Sequence, residues 1–174
     1  MEKTNCSYMK KIVVTGPESS GKTTLVKDIE ANVDLHAVPE YARIYIDQLD
    51  KPYVKEDLKK IAIGQIELER SYRDKNDQVL LCDTDLLTIK IWSEYKYGCC
   101  ESFIIDQLKN NLPDLYLLTS PDIPWEPDPQ RENPADRIEL FQIYKQEITR
   151  LKVPYEIIKG NPIARLDQFL KMIG

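Results

Sequence analysis

Eight residues near the start of the chain have types and spacing that suit phosphate binding. Gly16-Pro17-Glu18-Ser19-Ser20-Gly21-Lys22-Thr23 fits the pattern G-x-x-x-x-G-K-[ST] and lies between a β-branched apolar run and a helical pattern. Glycines let a backbone fold closely around phosphates, and successive N–H groups and a helix N-terminus face the anion. The spacing therefore predicts a P-loop for ATP, in which Lys22 is a catalytic residue that reaches the β- and γ-phosphates and Thr23 binds Mg²⁺.

Two acidic residues follow the apolar run from Gln78 to Cys82. Asp83 comes directly after this run, where a P-loop protein places an acid near Mg²⁺, and Asp85 lies two residues later. We predict that Asp83 is a catalytic and metal-binding residue and that Asp85 faces the same site. Both aspartates also suit the N-terminus of a helix that begins near Leu86, and Asp85 is the better capping candidate.

A third acid, Glu40, follows the short apolar run from Leu35 to Val38, with Tyr41 and Arg43 beside it. Ligands of open α/β sheets bind at the carboxyl ends of the strands, so a carboxylate here can take the proton of an acceptor hydroxyl. We therefore predict that Glu40 is a catalytic residue and that Glu40, Tyr41 and Arg43 bind the substrate. The alternatives are a solvated acid at a helix start and a surface arginine.

The segment from Ser120 to Asp136 contains five prolines and interrupts the alternation of strands and helices. Such a segment more often forms a connection over an active site than a packed element, so we expect a lid at about residues 120–137. Trp125 lies there among polar residues and prolines, which favours contact with a ligand. Trp92 lies inside a helical pattern and fits the core or the site equally well, and surface exposure is the alternative for Arg131 and Arg137.

Short apolar runs alternate with longer helical patterns along the chain, which is typical of βαβ units and a parallel sheet covered on both faces. The predicted strands cover Lys10–Thr15, Leu35–Val38, Gln78–Cys82, Asp114–Thr119 and Tyr155–Lys159. The predicted helices cover about residues 23–29, 41–49, 54–72, 86–97, 102–109, 137–151 and 163–172. We therefore expect an α/β fold, a P-loop NTPase three-layer sandwich with a five-stranded, mostly parallel sheet.

The composition limits the class of protein further. A chain of 174 residues with 42% hydrophobic and 30% charged residues fits one domain over residues 1–174. Its apolar runs are too short for a membrane span, and its first residues lack the apolar block of a secretory signal, so we expect a cytoplasmic protein without a membrane partner. A net charge of −5 argues against nucleic acid binding, and the possibility of a homo-oligomer stays open.

Several segments together resemble a known family. The segments are GPESSGKTTL, VPEYAR, IAIGQ, CDTDLLTIKIWSEYKYG, LLTSPDIPW and a later R…IKG…R, and they span about Lys11 to Arg165. They are similar to the ribosylnicotinamide kinase domain of the NadR family, which is grouped with P-loop ATPases that carry AAA-type labels. The resemblance implies that ATP and Mg²⁺ are used to phosphorylate the 5′-hydroxyl of nicotinamide riboside, which gives nicotinamide mononucleotide for NAD synthesis.

The resemblance also implies roles for individual residues. Gly16 to Thr24 would hold the ATP phosphates, and Glu40, Asp83 and Asp85 would line the acceptor and metal site. Trp125 or Trp92 would lie near the cationic nicotinamide ring, and Arg131 and Arg137 would be lid arginines, Arg131 catalytic and Arg137 ATP-binding. The family's lid pattern W-x-x-D-G-x-R has proline in place of its glycine here, while Asp128 and Arg131 are retained.

Two other functions remain open at this point. One is a kinase for another nucleoside or nucleotide, since the same scaffold serves several such substrates. The other is a non-catalytic regulatory switch, in which ATP binding moves the lid and no small molecule is phosphorylated.

Overall fold

The computed structural model describes residues 10–75, 79–132 and 135–173. The predictions that concern the N-terminal segment, Gln78 at the start of a strand and residues 133–134 of the lid lie outside these ranges. Within them, no helix has the length and apolar character needed to cross a membrane.

A four-stranded parallel sheet forms the centre of the fold. The strands are β1 (Lys10–Thr15), β2 (Val79–Asp83), β3 (Leu115–Thr119) and β4 (Tyr155–Ile158), and their order across the sheet is β2-β1-β3-β4. Val14 on β1 is in register with Asp83 on β2. The carboxyl ends of β1 and β2 therefore lie side by side, so the loop after β1 and the acid that ends β2 reach the same edge of the sheet.

The expected fifth strand is wrong among the described residues, because Leu35–Val38 is reduced to a single bridge between Val38 and Cys82. The Val38 N–H donates to the Leu81 carbonyl, and the Asp83 N–H donates to the Val38 carbonyl, each at 2.8 Å. Pro39 follows and has no N–H to continue a ladder, which limits the pairing to this one residue. The bridge nevertheless places Glu40 beside the end of β2.

Seven helices surround the sheet in the described part of the chain. They are α1 (Lys22–Asn32), α2 (Tyr41–Asp47), α3 (Lys55–Arg73), α4 (Leu86–Tyr97), α5 (Ser102–Asn110), α6 (Arg137–Leu151) and α7 (Pro162–Ile173).

The sheet separates two apolar cores, which confirms the predicted layering. Residues alternate between the faces along β1, so that Val13 packs with residues of α3, α4, α5 and α6, whereas Ile12 and Val14 pack with residues of α1 and α7. Strands buried on both faces read as continuous apolar runs, as these do. The two layers hold the sheet rigidly below the loops at its carboxyl edge.

Candidate active site

A cavity of about 310 Å³ opens at the carboxyl edge of the sheet. The P-loop residues 16–24, all predicted to bind ATP, line one end of it. The other end is formed by one face of α4, parts of α2 and α6, and the lid residues Gln130, Arg131 and Glu132. One continuous space therefore joins the predicted phosphate site to a second compartment large enough for a small molecule.

The P-loop has the backbone conformation of an anion cradle. Gly16 has φ 142° and lies so close to β3 that a Cβ would stand 2.6 Å from Thr119 Oγ1. Ser19 (φ 52°) and Gly21 (φ 82°) also adopt positive φ, and the next residue begins α1. Backbone N–H groups and the helix N-terminus therefore face the cavity where an anion would bind.

The Lys22 side chain folds back onto the loop. Its Nζ donates to the carbonyl oxygens of Gly16 and Pro17 at 3.0 and 2.7 Å. Burial lowers the pKa of Lys22, and the carboxylates of Glu40 and Asp83 oppose that effect. The ammonium group is thus held at the site by acidic neighbours that offset its desolvation.

Thr23 and Asp83 form a site that fits Mg²⁺. Thr23 Oγ1 donates to Asp83 Oδ2 at 2.7 Å. Asp83 Oδ1 is buried and has no hydrogen-bond partner among the described residues. Burial raises the pKa of Asp83, and the Thr23 hydroxyl and the Lys22 ammonium oppose the rise. A buried carboxylate oxygen without a donor, next to a hydroxyl oxygen, offers the hard ligands that Mg²⁺ prefers.

Glu40 lines the cavity between these groups and α2. Burial is the largest cause that raises the pKa of Glu40, followed by the nearby Asp83 carboxylate, while Lys22 and Arg43 lower it. Arg43 donates from Nε to Glu40 Oε2 at 3.2 Å and from NH1 to Asp128 Oδ2 at 3.0 Å. A carboxyl group with a raised pKa in a cleft suits a general base.

One face of α4 forms the wall of the acceptor end. Residues 88, 91, 92, 95 and 96 line the cavity, and this spacing places them along one side of a helix. Trp92 Nε1 donates to the Tyr53 hydroxyl at 2.9 Å, and the two ring centroids lie 4.6 Å apart in an edge arrangement. Trp92 is thus a residue of the cavity wall with a fixed ring orientation.

The lid residues hydrogen-bond to the P-loop directly. Ser19 Oγ accepts from the Glu126 N–H at 2.8 Å and from Arg131 NH1 at 3.4 Å. The Glu18 carboxylate accepts from the Glu132 N–H at 2.9 Å. Arg131 lines the cavity next to the loop, where its guanidinium can meet a transferred phosphoryl group.

Neither Asp85 nor Tyr41 lines the cavity, and their predicted contacts with a substrate stay predictions. Asp85 is the N-cap of α4: its Oδ1 accepts from the Leu87 N–H at 3.0 Å, and its Oδ2 accepts from the Tyr116 hydroxyl at 2.8 Å. Tyr41 packs its ring over Gly64 on α3. The capping alternative therefore describes Asp85, because both of its oxygens already have protein donors.

Trp125 and Arg137 do not line the cavity either. Arg137 donates from NH1 to the carbonyl oxygens of Ser19 and Ile123 at 3.1 and 2.8 Å. The guanidinium carbons of Arg137 and Arg131 lie 5.8 and 6.0 Å from the Trp125 ring centroid. The guanidinium groups of Arg131 and Arg137 therefore join the P-loop to the lid, and contact of Trp125 with the acceptor and of Arg137 with ATP stays a prediction.

Arg165 is a residue of this region for which the sequence predicted no role. It is 3% exposed and donates to the carbonyl oxygens of Gly160, Ser20 and Ser120 and to the Asp122 carboxylate. The signals available in the sequence were a charged residue on the apolar side of α7, next to Leu166, and its place at the end of the segment R…IKG…R. Arg165 ties the P-loop, the end of β3 and the loop after β4 to one another.

Comparison with known proteins gives a family and a fold. The profile of a family described as AAA domain matches residues 11–165. The trifunctional NAD biosynthesis/regulator protein NadR of Salmonella typhimurium is 28% identical over 130 residues, which is 70% of this chain and 30% of that protein. The resemblance that the sequence motifs indicated is confirmed.

Solved structures agree with this result. A crystal structure of NadR in complex with NR superposes with a TM-score of 0.76 at 19% identity, over 95% of this chain and 51% of that one. Thymidylate kinase from Ehrlichia chaffeensis superposes with a TM-score of 0.64 at 13% identity, over 95% and 99% of the two chains. The fold is that of P-loop nucleoside and nucleotide kinases, and the chain spans about half of the NadR chain that it matches.

Proposed function

This chain belongs to the AAA domain family, and we propose that it is a kinase that transfers the γ-phosphoryl group of ATP to the 5′-hydroxyl of nicotinamide riboside. The observation that carries the proposal is the single cavity that runs from the P-loop to the wall formed by α4, with the Glu40 carboxylate between its two ends. The likeness to NadR supports nicotinamide riboside as the acceptor.

The P-loop, the lid arginine and the acidic residues have separate parts in an in-line transfer. The P-loop N–H groups, Lys22 and Arg131 stabilise the charge that spreads over the phosphoryl oxygens. Glu40 accepts the proton of the acceptor hydroxyl, and Arg43 orients the Glu40 carboxylate. Thr23 and Asp83 would hold Mg²⁺, which supplies further charge neutralisation when it is bound.

The test is an acceptor panel. Purified protein is incubated with ATP, Mg²⁺ and one of nicotinamide riboside, ribonucleosides, deoxynucleosides or nucleoside monophosphates, and phosphoesters are measured by mass spectrometry. We expect nicotinamide mononucleotide to form selectively and to be lost with Lys22→Ala. Binding of ATP without phosphorylation of any acceptor would identify a regulatory switch instead.

A second candidate is a kinase for another nucleoside or nucleotide. The superposition with thymidylate kinase over 99% of that chain favours it, because the same scaffold then serves an acceptor without a cationic ring. Phosphorylation of a deoxynucleoside or nucleoside monophosphate in preference to nicotinamide riboside would establish this candidate.

A further inference from the structure

The far end of the cavity contains an ion pair between α4 and the lid. Lys96 Nζ lies 2.8 Å from Glu132 Oε1, and the two side chains are 35% and 39% exposed. Both residues line the same cavity as the P-loop. The pair is therefore open to a ligand in the cavity.

The position of Lys96 along α4 determines how far the ion pair lies from the phosphate-binding end of the cavity. Thr88, at the first turn, contacts the end of β1 through a Thr15–Thr88 hydroxyl distance of 3.3 Å. Lys96 lies eight residues later on the same face, which is about 12 Å along the helix axis. That length is of the order of a nucleoside from its 5′-hydroxyl to the outer substituent of its base, so a nucleoside with its 5′-hydroxyl near Thr88 would bring that substituent to the pair.

The Tyr53 hydroxyl holds Lys96 and Glu132 in place through hydrogen bonds that occupy its own donor and acceptor positions. Its hydroxyl accepts from Trp92 Nε1 and from Lys96 Nζ, and it donates to both oxygens of the Glu132 carboxylate at 3.1 and 3.0 Å. Burial and the Glu132 charge raise the pKa of Tyr53 to about 12, although its bond from Lys96 opposes this, so the hydroxyl keeps its proton at neutral pH. The one donor position and the two acceptor positions of the Tyr53 hydroxyl are therefore all occupied.

Lys96 and Glu132 retain capacity for a ligand. Within the described residues, Lys96 uses two of its three N–H groups, for Tyr53 and Glu132. The Glu132 carboxylate has about four lone-pair positions, and in the part of the chain that the structure describes it accepts from two side chains, Tyr53 and Lys96. The pair thus offers one positively charged donor and one negatively charged acceptor, side by side, with a net charge of zero.

We propose that Lys96 and Glu132 together recognise the carboxamide of the acceptor's ring. This inference rests on the proposed function. The Lys96 ammonium donates to the amide oxygen, and the Glu132 carboxylate accepts from the amide NH₂. The pair thereby favours nicotinamide riboside over the riboside of nicotinic acid, because the carboxylate of the latter finds an attractive lysine but also a repulsive glutamate.

Two substitutions at the pair have opposite consequences for this preference. Glu132→Gln removes the charged acceptor of the amide NH₂ and the negative charge that repels the acid's carboxylate, while Lys96 stays to attract that carboxylate, so the change favours the acid substrate. Lys96→Gln leaves Glu132 without its partner, which repels the acid substrate. Hydrogen bonds to charged groups contribute enough that each change should alter the ratio of kcat/KM for the amide to kcat/KM for the acid about 10-fold or more.

The experiment measures that ratio with nicotinamide riboside and nicotinic acid riboside, with ATP and Mg²⁺ present. We expect the ratio to fall in Glu132→Gln and to rise in Lys96→Gln. Loss of the lid contacts of Glu132 affects both substrates alike and cancels in the ratio. Glu94→Gln is the matched control: Glu94 lies on α4 at 38% exposure, pairs with Lys90 away from the cavity, and should leave the ratio unchanged.

The outcomes separate the two proposals. If wild-type protein phosphorylates the ribosides but the ratio stays the same in both variants, or moves in the same direction in both, the carboxamide assignment is wrong and the proposed function stands. If wild-type protein phosphorylates neither riboside and another acceptor is a substrate, the proposed function itself is wrong. Thermal unfolding of each variant identifies any change that comes from loss of folding.

Discussion

Glu40 and Asp83 are neighbouring carboxylates with different partners, of which Asp83 is buried and Glu40 is half-buried. Asp83 accepts from the Thr23 hydroxyl and presents a second oxygen without a donor in the described chain, whereas Glu40 accepts from Arg43. The first arrangement suits a metal ligand and the second suits a base whose charge is balanced by a cation.

This difference predicts separate effects of two substitutions. Asp83→Asn should raise the Mg²⁺ concentration needed for half-maximal activity, because it removes a charged oxygen ligand. Glu40→Gln should lower kcat by about 10²–10⁴-fold, the usual contribution of a general base, with the Mg²⁺ requirement unchanged. Steady-state rates measured against Mg²⁺ concentration test both, and the reverse pattern would exchange the two roles.

The buried Asp85 carboxyl group leads us to expect that the free energy of unfolding depends on pH. Burial is the main cause that raises the pKa of Asp85 from 3.8 to about 6. Since the fold favours the protonated form, the stability contribution of Asp85 is present at low pH and is lost as pH rises through about 6. Asp85→Asn keeps a capping oxygen without the charge, so wild type should lose up to about 3 kcal/mol relative to this variant between pH 4 and 7.

Urea unfolding of the two proteins across this pH range measures the difference. A constant difference between them would mean that Asp85 titrates alike in the folded and unfolded chains. The carboxylate oxygens of Asp85 receive protein donors away from the cavity, so catalytic rates need not follow the same curve.

At the scale of elements, α4 was predicted with its observed bounds for a physical reason. The capping aspartate Asp85 precedes Leu86, and Gly98 after Tyr97 adopts φ 71°, the left-handed conformation that ends a helix. Both signals come from residues that directly flank the helix in the sequence. The strand Leu35–Val38 was wrong among the described elements, because an apolar run predicts burial but does not say how many of its residues find a partner strand.

Contacts distant in sequence explain the other differences. Trp125 was expected to meet a ligand because nothing in its own segment accounts for a large ring there. Its ring lies near Arg131 and Arg137, whose guanidinium groups also bind the P-loop. The four hydrogen-bond partners of Arg165 come from three separate segments, and no periodicity or motif brings them together.

The contact between α2 and α3 predicts a strong effect of one methyl group. A Cβ on Gly64 would lie 2.0 Å from Tyr41 Cε1, so Gly64→Ala must displace the tyrosine ring. Overpacking of this kind costs about 1–3 kcal/mol, and because Tyr41 follows Glu40, kcat should fall as well. Urea unfolding and steady-state kinetics measure the two effects.

A double-mutant cycle supplies the control. In a Tyr41→Ala background the same Gly64→Ala change should cost much less, because the ring has been removed. An equal cost in both backgrounds would contradict the proposed clash and would assign the effect to the helix backbone of α3.

At the scale of the whole molecule, Arg165 connects the last helix to the nucleotide site. Its guanidinium binds the Ser20 carbonyl in the P-loop and the Ser120 carbonyl after β3, so the C-terminal helix helps to set the shape of the loop. A lysine has three donors on a single nitrogen, which are too few for the four acceptors that the guanidinium reaches from three nitrogens.

Arg165→Lys should therefore weaken ATP binding as well as the fold. We expect the free energy of unfolding to fall by about 2–4 kcal/mol, since buried acceptors lose their donor. The increase in melting temperature caused by saturating ATP should also become smaller than in wild type. An unchanged ATP-induced increase would show that the loop keeps its shape without Arg165.

The hydrogen bonds from Glu18 and Ser19 to the lid have a consequence for the fate of ATP. A kinase that admits water to the γ-phosphate consumes nucleotide in futile hydrolysis. Because the backbone of the lid at Glu126 and Glu132 is bonded to the loop that would grip the phosphates, the two surfaces shield that phosphorus atom together. The ratio of ADP released to phosphoester formed then reports how completely the lid excludes water, and a ratio near one indicates that the site is closed to water while the phosphoryl group is transferred.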